Sequence, residues 1–415
     1  MKILFVSNIS HPLNSGAGQR VMHLLKGVSS AGEVTLIYPT KNEGTDPDLE
    51  ILRPLCRRVF TFPESSLAAR RDSRLPRIIY WLIHKLRYLH PTRSAHMQQH
   101  WSKEGNALVA TLCSERFDLV WAERITSIQM LPKSLGCRII IDLDDLEHRR
   151  LRWWLRLGKI HHMTFFSFLE FLKLRRLERG LGMLPYEFSV CSEIDRKALG
   201  VDKKVWVVPN GTELPSETER LTPGALGRVL LFVGSMSYEP NEDAAVFFAK
   251  RVLPLVRREL PDAKFFIVGR APTQTVSDLH DGRSVFVSGE VQNLKDYFCG
   301  ASAVVAPIRF GGGTRIKILE AMAYHKPVIS TCVGAEGLEV ESGKHLLLAD
   351  SPREFARGCI TLLKDASLCK RIGDQGFRLV RDQYQWSTIE NKIREIISNW
   401  EHVVAHEDSP GRPLH

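Results

Sequence analysis

The chain has 415 residues, of which 44% are hydrophobic and 25% charged, and its basic side chains outnumber the acidic ones to give a formal net charge of +10. That length is too great for one simple core, so two domains of ordinary size are expected, with the composition of a soluble globular protein. The charge favours anionic partners such as nucleotides, anionic lipid or nucleic acid without selecting among them, while eight cysteines with no CxxC pair or metal-ligand spacing argue against a disulfide scaffold or a zinc site and for a reducing compartment.

The opening MKILFVSNIS has one basic residue and an apolar run shorter than a signal peptide needs, and it reads as a first strand at Ile3 to Val6. Pro12 and the small residues through Gly18 form a loop. From about Gln19 the positions Val21, Leu24, Leu25 and Val28 mark a helix face, and Val34 to Tyr38 gives a second strand. Such an opening starts a doubly wound α/β domain whose ligands meet the strand C-termini. Gly16 and Gly18 would let the backbone approach a bound group, and Arg20 would pair with a phosphate; the plain alternative is a tight connection with a surface arginine.

Residues 41 to 105 are less regular, with a strand at Val59 to Phe62. The segment 74 to 90 mixes apolar, aromatic and basic residues at helical spacing, which suits either an anionic membrane surface or a helix covering the sheet. Further strands are expected at Asp118 to Glu123 and Arg138 to Asp142. The second delivers Asp142, Asp144, Asp145, Glu147 and His148 at a strand end, where one useful carboxylate is favoured over a metal site. Residues 149 to 188 read as one or two helices rich in Trp, Phe, Arg and Lys. They form an interfacial surface, an acceptor-side wall or a pair of core-covering helices, with His161 and His162 as bystanders. No run of eighteen uncharged apolar residues occurs, so no spanning helix is expected.

Short strands at Phe188 to Cys191 and Val205 to Val208 close a first domain over 1–215. A polar stretch at 216–228 with prolines and glycines is the linker. A second domain over 229–385 repeats the pattern. Its strands are expected at Val229 to Val233, Phe265 to Val268, Val285 to Val287 and Leu346 to Leu348. Helices are expected at Asp243 to Val256, interrupted near Pro254, and at Leu294 to Phe298, Pro352 to Leu363 and Leu368 to Val380. A terminal helix over 386–404 is placed to return to the first domain, ahead of a flexible tail at 405–415.

Within the second domain, AVVAPIRFGGGTRIKILEAMAYHKPVISTCV (303–333) is a strand, glycine loop, helix and strand. Backbone N–H groups of Gly311, Gly312, Gly313 and Thr314, with the helix N-terminus behind them, suit phosphate oxygens without a metal. Arg315 and Lys317 add positive charge, although at spacing two on a helix they would not both face one ligand. Glu320, acceptor-only when ionised, suits a vicinal diol such as a ribose. The plain alternative is a tight turn with solvated charges. No P-loop, GxGxxG or GxSxG pattern occurs, which weakens ATPase, dinucleotide and simple hydrolase readings.

From Leu231 to about Leu348 the chain resembles the donor domain of retaining glycosyltransferases of the GT-B type, the family 4 group or glycosyl transferases group 1. The resemblance is carried by FVGSMSYEPNEDA, FFIVGR, VSGEV, the Pro307 to Glu320 segment and EAMAYHKPVIS. The first domain is similar to the acceptor domain of that family in its glycine loop and strand order. The resemblance implies an α/β GT-B fold of two Rossmann-like domains facing an interdomain cleft, and a cytoplasmic enzyme, peripheral on the inner membrane, that makes cell-surface polysaccharide or glycolipid.

The implied donor is a UDP-sugar or GDP-sugar, with no cofactor or metal required, and the implied acceptor is lipid-linked or saccharide. Glu320 would bind the ribose. Main chain at Gly313 to Ile316 would meet diphosphate and sugar, Gly289, Glu290 and Val291 would lie beside the base, and Gly16 and Gly18 would sit at the diphosphate. The loop opening at Gly234 lacks the basic pair expected there, which leaves Arg315, Lys317, Arg270 or Arg20 to neutralise the diphosphate. Gly312 stands where the family has a first glutamate, and Asp144 or Asp145 lies nearest the place of an expected histidine, with His148 further on. Asp144, Arg315 and Lys317 are the expected catalytic residues. Competing readings are a nucleotide-sugar epimerase, a transferase for small soluble acceptors and a non-catalytic sugar-nucleotide binder. Nucleic acid is not an expected partner, because the aromatics do not interleave with the basic residues on a recognisable module.

Overall fold

The structure is a computed structural model that describes residues 1–40 except 11 and 14, 47–64, 88–90, 93–156 except 133 and 134, 164–201, 205–216, and 227–407 except 314. Most of the 74–90 segment, most of the 216–228 linker, His161 and His162, Thr314 and the end of the tail lie outside the described residues. The chain forms two units, Met1–Pro209 with Ile389–His415, and Asn210–Thr388.

In the first unit the apolar runs become β1 (Lys2–Val6), β2 (Glu33–Thr40), β3 (Arg58–Pro63), β4 (Leu119–Glu123), β5 (Arg138–Asp142), β6 (Glu187–Val190) and β7 (Val205–Val207). They pair in parallel in the order β3-β2-β1-β4-β5-β6-β7. In the second unit β8 (Val229–Val233), β9 (Lys264–Val268), β10 (Val285–Gly289), β11 (Ala303–Ala306), β12 (Val328–Ser330) and β13 (Leu347–Leu348) take the order β10-β9-β8-β11-β12-β13, again parallel. Both are doubly wound α/β sheets, as expected.

Burial on both faces explains why the central strands are unbroken apolar runs rather than alternating ones. Along β8, Leu230 and Phe232 enter one core, while Val229, Leu231 and Val233 enter another on the opposite face. In each sheet the winding reverses beside the first strand, between β1 and β4 and between β8 and β11. Loops leaving those strand ends splay apart, which is where α/β sheets hold ligands.

Two helices depart from expectation. The first begins at Gly16 rather than near Gln19, because Ser15 caps it by accepting from the Gly18 amide at 3.1 Å. The helix expected over Asp243 to Val256 is Glu239–Phe247, a π-helical turn at Phe248–Val252, and Leu253–Glu259. Pro254 has no N–H to donate and crowds the preceding turn, so the backbone widens there. Residues 149–188 resolve into helices Glu147–Arg156 and Thr164–Gly180 followed by β6. Helix Lys103–Leu112, capped by Ser102, falls partly in the stretch that read as irregular.

The terminal helix Trp386–Glu407 packs from Ile389 onward within the first unit. A Cβ on Gly27 would stand 2.9 Å from Ile393, so a glycine there lets the two helices meet closely. Arg138 donates to the Ile396 carbonyl at 2.9 Å while clasping Glu187, and His23 meets Glu390 at 2.6 Å. Ile393 is fully buried in this contact. Ile393→Ala is therefore expected to lower stability by about 2–4 kcal/mol, measured by urea unfolding; an unchanged midpoint would show that the helix does not contribute.

Candidate functional site

At the carboxyl end of the second sheet three loops are tied together through their backbones. Gly234 N–H donates to Val268 O at 3.0 Å, Met236 N–H to Arg270 O at 2.9 Å and Gly269 N–H to Gly289 O at 3.0 Å. Glycine is required at the tightest of these approaches: Gly269 has φ +147°, and a Cβ on it would lie 1.9 Å from the Gly234 carbonyl. Gly289, at φ +70°, ends β10 at a register shift, followed by exposed Glu290 and half-buried Val291. The sequence thus places Gly234, Arg270, Gly289, Glu290 and Val291 along one edge.

The loop after β11 comes up against this edge. Gly311 and Gly313 have φ of +113° and +82°, which turn the chain back toward helix Ile316–Ala323. A Cβ on Gly311 would lie 3.1 Å from the Arg315 guanidinium, 3.2 Å from Pro240 and 3.3 Å from the Tyr238 hydroxyl. Arg315 is buried, donates to Gly312 O at 2.5 Å and leaves its Nε with no hydrogen-bond partner among the described residues. Arg309, by contrast, is taken up by Asp243 at 2.7–2.8 Å and by the face of Phe247.

Lys317 crosses to the loop after β8. Its amine donates to Asn241 Oδ1 at 2.6 Å, lies 4.4 Å over the Phe232 ring and would stand 2.8 Å from a Cβ on Gly234. Asn241 is itself fixed, because its Nδ2 donates to Ser235 O at 2.8 Å. The sequence-based objection that Arg315 and Lys317 would not share a ligand falls away, since Arg315 precedes the helix with non-helical ψ of 81°. Burial first, and the Arg315 charge after it, bring the Lys317 amine down to about 7, with Glu320 opposing them. Glu320 is one turn on and half-buried, and its carboxylate accepts no hydrogen bond among the described residues; burial raises its pKa while Lys317 opposes the rise. Gly312 and Ile316 complete the turn, and Thr314 lies outside the described residues.

The first unit gathers charge differently. Arg20 is 1% exposed, and its guanidinium is held by Asp142 at 2.6 and 2.9 Å and by Val208 O at 3.0 Å, so it faces the interior rather than a surface. Gly18 is explained by Pro12, whose carbonyl would lie 2.1 Å from a Cβ there, while Gly16 is exposed. Asp144, at φ +53°, stands between Arg20 at 3.6 Å and Arg124 at 3.1 Å, with the Cys191 thiol at 3.2 Å. Burial and the adjacent Asp144 charge push Asp145 up to about 7. His148 is turned to Glu178. Arg124 also binds Glu123 at 2.9 Å, and Glu123 accepts from Ser7 at 2.9 Å. No group of three or more His, Cys, Asp or Glu is placed to hold a metal ion among the described residues.

Arg124, Tyr238, Asn241 and Phe232 were not among the residues the sequence pointed to. Arg124 carried a readable signal, a basic residue directly after a strand at the switch point. Asn241 and Phe232 lie in the FVGSMSYEPNEDA segment but were not singled out within it, because their contacts with Lys317 span most of a domain.

Two parallel sheets of this kind are the fold of the GT-B glycosyltransferases. Residues 227–365 match the family model of the glycosyl transferases group 1, so the resemblance read from the sequence is borne out there. Sucrose-phosphate synthase from Thermosynechococcus elongatus is similar with a TM-score of 0.66 at 15% identity, over 97% of this chain and 99% of that one. HepE of Anabaena, solved with UDP and glucose, gives 0.63 at 16% identity over 96% and 100%. A TarM variant of S. aureus, solved with fondaparinux, alpha-GlcNAc-glycerol and UDP, gives 0.62 at 12% identity over 94% and 98%. An uncharacterized 44.6 kDa protein in the cps region of Klebsiella pneumoniae is 27% identical over 172 residues, 40% of this chain and 44% of that relative, so the match spans less than half of the relative's length.

The site's electrostatics have a direct test. The Lys317 amine is expected to titrate near 7 in the free protein. Arg315→Gln should move its midpoint up and Glu320→Gln should move it down, followed by NMR of isotopically methylated lysines. A midpoint near that of a free lysine would contradict the buried setting.

Proposed function

We propose that the protein is a glycosyltransferase that moves a sugar from a nucleoside-diphosphate sugar, a UDP-sugar first among the candidates, to a hydroxyl acceptor with retention of configuration. The observation that carries this reading is the pairing of two cations, Arg315 and Lys317, with glycine-lined backbone at the β8 and β11 ends, beside Glu320, whose carboxylate accepts no hydrogen bond among the described residues. Arg315 and Lys317 face the diphosphate, and Glu320 accepts from the ribose hydroxyls. The Gly289 to Val291 edge lies beside the base, and the amides around Gly313 and Ile316 meet phosphate and sugar. The complexes of HepE with UDP and glucose and the cps-region setting of the Klebsiella relative support a sugar-nucleotide donor and a polysaccharide or glycolipid product.

In this reading the leaving diphosphate gains its stabilisation from preorganised donors rather than from a required metal. The acceptor hydroxyl attacks the sugar carbon as the bond to the phosphate oxygen breaks, and that phosphate takes the hydroxyl proton. Lys317 supplies, from the helix that follows the β11 loop, the charge that the GSMSYEPN segment lacks. Asp144 holds Arg124 in place, since each of its carboxylate oxygens already has a partner. Gly312, which offers no acid to the sugar, motivates a second reading as a non-catalytic sugar-nucleotide binder.

A panel of UDP-, GDP-, ADP- and TDP-sugars read by thermal shift and by nucleotide release separates the two readings: binding with release supports the enzyme, and binding alone supports the binder. Glu320→Gln should weaken nucleotide binding about tenfold or more. Affinity should fall as pH rises through about 7, where the free Lys317 amine loses its proton, and Lys317→Met should flatten that fall. Unchanged affinity in both variants would remove the site assignment.

A further inference from the structure

Helices Glu147–Arg156, Thr164–Gly180 and Glu193–Leu199 of the first unit enclose a concavity of about 360 Å³. Its wall carries four arginines, Arg149, Arg152, Arg175 and Arg179, together with His148 and Glu178. The local acids do not neutralise it. Glu178 is buried and taken by His148, and Asp195 is taken by Arg149 at 2.5 Å and by Ser192. Arg152, Arg175 and Arg179 are exposed and make no hydrogen bond or ion pair among the described residues. Three unpaired guanidinium groups around one hollow repel one another, and that arrangement suits an anion with several oxygens, since guanidinium forks match phosphate geometry.

The same helix offers a second, apolar element. Phe165, Phe168 and Leu172 are 63%, 49% and 44% exposed. Phe168, Leu172, Arg175 and Arg179 are spaced by four, three and four residues, so they form one stripe of helix Thr164–Gly180. Its first half is aromatic and aliphatic and its second half cationic. A soluble phosphate would use only the arginines and leave the phenylalanines in water. A membrane surface uses both, with lipid phosphates at the arginines and the acyl boundary taking the apolar side chains.

We propose that this face is a docking site for an anionic phospholipid surface, with a lipid phosphate seated among Arg152, Arg175 and Arg179 and with Phe165, Phe168 and Leu172 entering the interface. It deepens the glycolipid or polysaccharide reading by giving the first unit a place at the membrane. It rests on no feature of the donor site, and vesicle binding measured without nucleotide fails or succeeds independently of sugar transfer.

The test is co-sedimentation of the full chain with vesicles of phosphatidylcholine alone and of phosphatidylcholine with phosphatidylglycerol. The protein should sediment with the anionic vesicles only, and less so at high salt. Arg152→Glu/Arg175→Glu/Arg179→Glu should lose about tenfold or more in partitioning, while an equal charge change in the other unit, Arg353→Glu/Arg357→Glu/Arg378→Glu, should stay within about twofold. Phe165→Ser/Phe168→Ser keeps every charge and should weaken binding while retaining its salt dependence, and a melting curve for each variant confirms folding. Failure to sediment with anionic vesicles, equal loss in the two charge variants, or binding of inorganic pyrophosphate without vesicle binding would overturn the proposal.

Discussion

The amine of Lys317 reaches from helix Ile316–Ala323 to the end of β8 and the helix that follows it, and the geometry of this site depends on that crossing. Asn241 accepts from it, Phe232 lies beneath it, and Gly234 has no side chain to block it. Remove any of the three and the cation has no fixed place at the switch point. Arg315 is held just as closely against Gly311 by its bond to Gly312. Burying the Lys317 amine, and doing so beside the Arg315 charge, costs free energy in the empty protein, and the lowered pKa of Lys317 is the sign of that cost. In the proposed reading a diphosphate relieves it, which makes an otherwise unfavourable cluster a functional clue.

The first unit follows the opposite rule at the equivalent edge of its sheet. Its cations and carboxylates satisfy each other, with Arg20 on Asp142, and Arg124 on Glu123 and Asp144. Arg20 raises no question of a free charge, because burial and bidentate pairing leave it facing the core. Breaking such a buried pair from one side typically costs about 3–5 kcal/mol, so this network sets the shape of the β1, β4 and β5 ends. Uncompensated positive charge among the described residues of this unit stands on the helices Glu147–Arg156 and Thr164–Gly180, at Arg152, Arg175 and Arg179.

Much of this was legible in the residues. Unbroken apolar runs such as Val229 to Val233 and Leu119 to Ala122 mark strands buried on both faces, and their spacing with helices fixes a doubly wound arrangement. Glu320 and the three-glycine turn follow from local pattern. Lys317 was legible as a charge but not as a position, because its partners Asn241 and Phe232 lie on another helix and a strand of the unit. Arg20 misled for the same reason: in the sequence it is a basic residue in a first helical turn, and only the fold brings Asp142 and Val208 to it. The π-helical turn before Pro254 was half legible, since proline announces an interruption without saying how the backbone absorbs it.

The central claim is that Arg315 and Lys317 together form the diphosphate seat, with Glu320 beside it for the ribose. The most direct measurement is a crystal structure with a nucleoside diphosphate bound. The account predicts phosphate oxygens within about 3 Å of the Lys317 amine and the Arg315 guanidinium, and ribose hydroxyls on the Glu320 carboxylate. A nucleotide bound elsewhere, with Lys317 still resting on Asn241 and Glu320 still without a partner, would contradict it.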